Sequence, residues 1–168
     1  MAVVNTKSTA ITNADATPVV ITNRALIKGP VFSACGTVEV AAADDNNSVY
    51  RMARIPSNAR ILSLVAFNDA ITLAAGATSF DLGLHQTAAN GGAVADSDAF
   101  ASAVNFQAAS TAGTELRYEA ANIDGIEKRL WELLGLTSDS QREYDVAFTG
   151  ISVGDVAGTI SLEILWTV

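Results

Sequence analysis

Cysteine and histidine are nearly absent from this chain: Cys35 and His85 are the single examples in 168 residues. One cysteine closes no internal disulfide, and one cysteine with one histidine builds no Cys/His metal cluster. Cys35 reads as a small buried apolar residue. His85 reads as a hydrogen-bonding loop residue, because no serine or cysteine is arranged with it in a nucleophile pattern. Charge is scarce as well. Only 17% of residues are charged, against roughly 25% in ordinary soluble domains. The ten basic residues are scattered and the net charge is −8, which argues against nucleic acid as a partner, since phosphate needs clustered Lys and Arg. No apolar run reaches the ~18 residues of a membrane helix. The start, MAVVNTKSTAITN, lacks the apolar core of a signal peptide, so an intracellular product and no membrane partner are expected. Nothing in the sequence calls for a cofactor.

What is present is small, apolar and β-branched. The length suits one hydrophobic core and is short for two ordinary domains. The stretch from Ala59 to His85 organises the chain. It opens on a dense apolar run, Ile61–Phe67, and ends with Phe80, Leu82 and Leu84 alternating with Asp81, Gly83 and His85. A period of two predicts strand. The first run is apolar in both phases, which predicts a central strand covered on both sides.

Residues 1–30 differ from the rest. They are rich in Thr, Asn, Ser and Ala and predict an extended arm ahead of a single domain over 31–168. Val3, Val4, Val19, Val20 and Ile21 give the arm more β-branched apolar character than a passive tail needs, so a neighbouring subunit is its expected partner. Strands follow over 31–40, 49–55, 60–68 and 78–85. The tip at 41–48 lacks the ligand ladder of a calcium loop and reads as a solvated hairpin turn. Arg51 and Arg54 fall on opposite faces of their strand. Together with Arg60 they are expected at a carboxylate or a subunit boundary.

Residues 96–104 read as a capped helical turn, with a short strand as the competing reading, and 105–114 as a surface loop. One short helix is predicted near 125–134, with Asp124 as cap, Ile126, Leu130, Leu133 and Leu134 as its stripe, and Gly135 as its stop. Two regular strands over 144–150 and 159–168 finish the chain. About eight strands and one helix predict an all-β fold, a β-sandwich of the jelly-roll kind.

The stretches RIPSNARILSLVAFNDAI (54–71), FDLGLHQT with Gly91-Gly92 (80–92), DSDAFASAV (96–104), LWELLGL (130–136), REYDVAFTG (142–150) and AGTISLEILWTV (157–168) resemble a family of small tailed-bacteriophage head proteins. These are similar to decoration or cement proteins. The resemblance covers about residues 50–168 and leaves out the arm. It implies a virion structural protein on the outer surface of the head, made in the host cytoplasm, a homo-oligomer with a trimer favoured, and the major capsid protein as partner. It carries no catalytic residues. Three rival readings stand beside it. A glycosidase would need two carboxylates ~5–9 Å apart, for which Asp81 and Glu163 are the strand-borne candidates. A host-receptor or carbohydrate-binding module would expose an aromatic platform, yet Trp131 and Trp166 both read as core or interface. A tail or baseplate component is the third.

Overall fold

A computed structural model of the chain describes residues 6–27, 29–42, 44–74, 76–119 and 122–168. Eight strands run in chain order: β1 Val31–Val40, β2 Val49–Pro56, β3 Arg60–Asn68, β4 Ser79–Gln86, β5 Val94–Asn105, β6 Ser110–Glu115, β7 Glu143–Ser152 and β8 Gly158–Thr167. They form two antiparallel four-stranded sheets, β1-β8-β3-β6 and β2-β7-β4-β5. Successive strands change sheet at every step except β4 to β5. Two interlocked four-stranded sheets of this order make a jelly-roll β-sandwich, the expected fold class.

Period-two patterning builds the core. Ile160, Leu162 and Ile164 of β8 point inward between Leu64 and Ala66 of β3 and the small residues Ala34 and Gly36 of β1. Phe80, Leu82 and Leu84 of β4 face them from the second sheet. Between the layers Phe80 sits 5.4 Å from Phe106 and 6.5 Å from Phe148, ring centre to ring centre. Tyr50 closes on Phe80 at 6.0 Å. Tilted and edge-on rings at such spacings suit the aromatic quadrupole. Gly36 is required, because a Cβ there would lie 2.1 Å from the Met52 carbonyl oxygen where the two sheets meet.

Several expectations are corrected. The apolar run in β3 is not covered on both sides. A bulge between Ile61 and Ser63 resets the phase, so Ile61, Leu64 and Ala66 turn inward while Val65 and Phe67 stay half-buried on the outer face. The displaced Leu64 amide donates to Glu115 Oε1 at 2.9 Å. Residues 96–104 are strand, within β5, and 110–115 form β6 at the sheet edge. Cys35 is exposed rather than buried, because it lies on the outer face of β1 opposite Glu163.

The predicted helix shrinks to one turn, α3, Leu130–Leu133; the chain position of α1 and α2 comes earlier, at Thr9–Ala14 and Arg24–Ile27. Asp124 does not cap α3. Its amide donates to Asn122 Oδ1 in a local turn, and Arg129 takes the cap position, with its amide donating to Glu132 Oε2 at 2.7 Å. Leu130 and Trp131 amides donate to Ala59 and Ser57 carbonyls, which ties the turn to the β2–β3 loop. Gly135, in left-handed backbone at φ 69°, ends it as expected.

The arm is also not simply extended. Ser8 caps α1 by accepting from the Ile11 amide, and Lys7 pairs with Asp15 at 2.7 Å. The Val20 amide then donates to the Asn13 carbonyl, and Asn13 Nδ2 donates to Thr22 Oγ1. Polar side chains that bond nearby backbone favour such local turns over an open chain. Val3 and Val4 lie outside the described residues.

Candidate functional site

The candidate interface residues fall into two groups. Val19, Val20 and Ile21 follow the α1 turn in irregular backbone and are 67%, 51% and 94% exposed. A groove of about 260 Å³ separates the arm from the sandwich, lined by Thr9, Thr22 and Leu26 on one side and Arg60, Ile126 and Glu127 on the other. Arg60 is half-buried there and its Nη1 donates to the Ile126 carbonyl at 3.2 Å. Burial pushes its guanidinium pKa down, against the opposing pull of Glu127.

Arg51 and Arg54 do not diverge to opposite faces. A bulge between Arg51 and Ala53 turns both onto Asp145 of β7. Arg54 Nε donates to Oδ1 at 2.7 Å, and Arg51 Nη1 to Oδ2 at 2.8 Å. Arg51 also donates to the carbonyls of Gln86 and Gly92, pinning the turn after β4 onto the sheet. Burial alone would raise the Asp145 pKa; hydrogen bonds and charge from Arg54 and Arg51 outweigh it and hold the carboxyl below its ordinary value. The carboxylate expected for these arginines is thus supplied from within the chain.

His85 is not a loop residue. It lies in β4, is 1% exposed, and its Nε2 sits 3.2 Å from Thr149 Oγ1. Burial first, then the nearby Arg51 charge, lowers its pKa, while Asp145 opposes. The unfolded chain therefore takes up this proton at higher pH than the folded chain does. Stability at neutral pH should fall as pH drops below about 6.5 and continue to fall until His85 protonates in the folded state. His85→Gln should flatten that segment of the curve. Urea melts of both proteins between pH 7.5 and 5 check it; parallel curves would remove His85 as the cause.

The enzyme candidates separate. Asp81 lies on the outer face of β4 and accepts from the Ala103 amide at 2.9 Å. Glu163 lies exposed on the outer face of β8, in the opposite sheet. With sheets packed about 10 Å apart, two carboxylates pointing outward from opposite layers do not flank one sugar. A surface hollow of about 550 Å³ lies between the 44–46 and 153–155 loops. Its polar groups serve the loops themselves. Asp44 Oδ2 accepts from the Ala41 amide and the Tyr50 hydroxyl, Asn46 Oδ1 from the Val153 amide, and Asp155 Oδ2 from the Ala74 amide. Burial and then Asp44 push the Tyr50 hydroxyl up to about 12, keeping it a donor.

No family model and no curated protein matches this sequence. Solved structures do. A chain in the capsid of Ralstonia phage GP4 superimposes with a TM-score of 0.59 at 12% identity, over 83% of this chain and 84% of that one. This chain shares the fold of a phage capsid chain. A chain of the cyanophage Pam1 capsid asymmetric unit gives 0.49 at 14% identity, covering 84% of this chain and 87% of that one. A chain of the acid-stable capsid of Helicobacter pylori bacteriophage KHP30 gives 0.47 at 16% identity, covering 83% and 92%. At such identities the likeness is one of fold.

Sequence reasoning missed a further set of exposed apolar residues. Val31 and Phe32 open β1, and Phe32 stacks on Trp166 at 5.9 Å yet remains 42% exposed. Ile123 and Ile126 are exposed in the turn before α3. Period-two patterning assigns Phe32 to the inner side of β1, but it cannot tell how far that end of the strand is covered.

Proposed function

We propose that this chain is a virion structural protein and not an enzyme. Within the virion it acts as a decoration protein that binds the outside of the phage head and holds neighbouring major capsid subunits together. The observation that carries the reading is the eight-strand, two-sheet topology, which matches a phage capsid chain over 83% of this chain. The outward-facing residues fit the role. They offer open sheet faces, and loops at 44–46 and 153–155 whose polar groups bond within the chain.

Such a protein works by mass action. It binds assembled subunits and not separated ones, so occupancy adds free energy to the assembled state alone. Many shallow contacts serve this purpose, and a homotrimer presents three sets at once. Val19, Val20 and Ile21 of the arm are the proposed contact residues, and sedimentation equilibrium should return three times 17.4 kDa.

Quantitative mass spectrometry of purified virions tests the location. The protein is expected at a copy number comparable with the major capsid protein, and it should be released from heads before the shell dissociates. A handful of copies per particle would favour the tail or baseplate reading, and absence from particles would end the virion reading.

A further inference from the structure

The two sheets leave four edge strands, and three of them are protected against further pairing. β2 carries Arg51 and Arg54, a bulge, and Pro56 at its end. β5 is interrupted by repeated register shifts against β4, and the Glu119 amide caps its Phe100 carbonyl. β6 is six residues long. These are the devices by which sheet proteins keep edges from recruiting another strand. β1 has none of them. It is ten residues long, pairs with β8 in unbroken register from Val31 to Val40, and contains no proline, lysine or arginine. Its only charge is Glu39. Among the described residues its backbone bonds only to β8, and Val31, Phe32, Ser33 and Cys35 are all exposed.

The same chain carries a segment of matching chemistry. Val19–Thr22 is uncharged, β-branched and outside any helix or sheet, with the Val20 amide donating to Asn13 as its backbone contact. An edge without protection and a β-branched run without a sheet are complementary. We infer that the Val19–Thr22 run of one copy adds as a fifth strand to the β1 edge of a second copy.

The placement of the arm favours a second copy over its own edge. Thr9, Thr22 and Leu26 sit against Arg60 and Ile126, beside the first residue of β3. β3 lies two strands in from β1, roughly 10 Å away. Seated there, the run makes no backbone bond to its own β1 among the described residues. Passed head to tail, one arm to the next edge, such a contact closes into a ring when the rotation between copies closes. This inference rests on the arm being a contact segment, as proposed above, but it is tested on purified protein and does not depend on where the protein sits in a virion.

Cys35, exposed on β1 and alone of its kind, supplies the probe. Val19→Cys, Val20→Cys and Ile21→Cys are each oxidised at high protein concentration and run without reductant. Opposed side chains on paired strands come close enough for a disulfide, while adjacent residues point to opposite faces. The expected result is interchain disulfide in most chains for one phase, either Val19→Cys with Ile21→Cys or Val20→Cys, and little in the other. Cys35→Ser should abolish it. Equal trapping at all three positions, bonds formed only within one chain, or no trapping at all would overturn the inference. Loss of the virion signal in mass spectrometry with phase-specific trapping intact would instead overturn the decoration role alone.

Discussion

Deleting residues 2–28 is expected to leave the β-sandwich folded and to abolish its stable oligomer, its retention on heads, or both. Neither α1 nor α2 joins a sheet, and the core residues all lie from Val40 onward. Near-ultraviolet circular dichroism from the Phe80, Phe106, Phe148 and Tyr50 cluster should therefore be unchanged by the deletion. What the deletion removes is contact area. Val19, Val20 and Ile21 are largely exposed in the isolated chain, so they contribute little to its own stability. Covering three such side chains at about 25 cal/mol per Å² yields several kcal/mol gross. Ordering the run costs about 1–2 kcal/mol per residue and offsets most of it. A single arm therefore holds weakly, and several acting together hold well. Sedimentation at micromolar concentration and rebinding to stripped heads report the two losses separately. A truncated chain that matches the full chain in both would move the binding surface to the loops at 41–48, 87–93 and 106–109.

The fold was legible wherever side chains alternate without interruption. Ile160, Leu162 and Ile164 in β8, and Phe80, Leu82 and Leu84 in β4, assign both strand and inner face directly. Legibility failed at bulges, since one extra residue exchanges the two faces. Arg51 and Arg54 are three apart and predict opposite faces, yet the bulge at Met52 brings both to Asp145. β5 hides for the same reason. Three residues of β4, Leu82 to Leu84, span six of its own, Asp96 to Ala101. The extra residues fold over Gly83, where a Cβ would meet the Asp96 carbonyl oxygen at 2.1 Å. The sequence DSDAFASAV thus lacks period two and imitates a capped helix. β6, STAGTE, has almost no apolar content because its edge position buries little.

The interface was less legible than the fold. Composition singled out Val19, Val20 and Ile21 because they are apolar residues in a polar setting. Their exposure is a property of the folded chain, and so is the unprotected edge of β1. An edge is defined by strand order, which depends on every crossover in the chain and is written in no single segment.

Phe80→Ala should produce the largest loss of stability of any single side-chain truncation considered, about 3–5 kcal/mol. Phe80 is fully buried, contacts Tyr50, Phe106 and Phe148, and stands where the four rings fill the space between the sheets. Removing it takes away the transfer free energy of the ring and leaves a hole. The neighbours cannot close it, because Phe106 and Phe148 are already held edge-on at 5.4 Å. For a chain of this size that loss corresponds to a fall in Tm of roughly 10 °C. Phe32→Ala is the internal control. It deletes the same atoms from a ring that is stacked on Trp166 but 42% exposed, at the open end of β1. There the space opens to solvent and no closed cavity forms, so the cost should stay near 1 kcal/mol. Thermal melts of the two variants beside the parent chain give both numbers. Equal shifts would mean that the end of β1 packs as tightly as the core, and that its exposed edge is not available to a second copy.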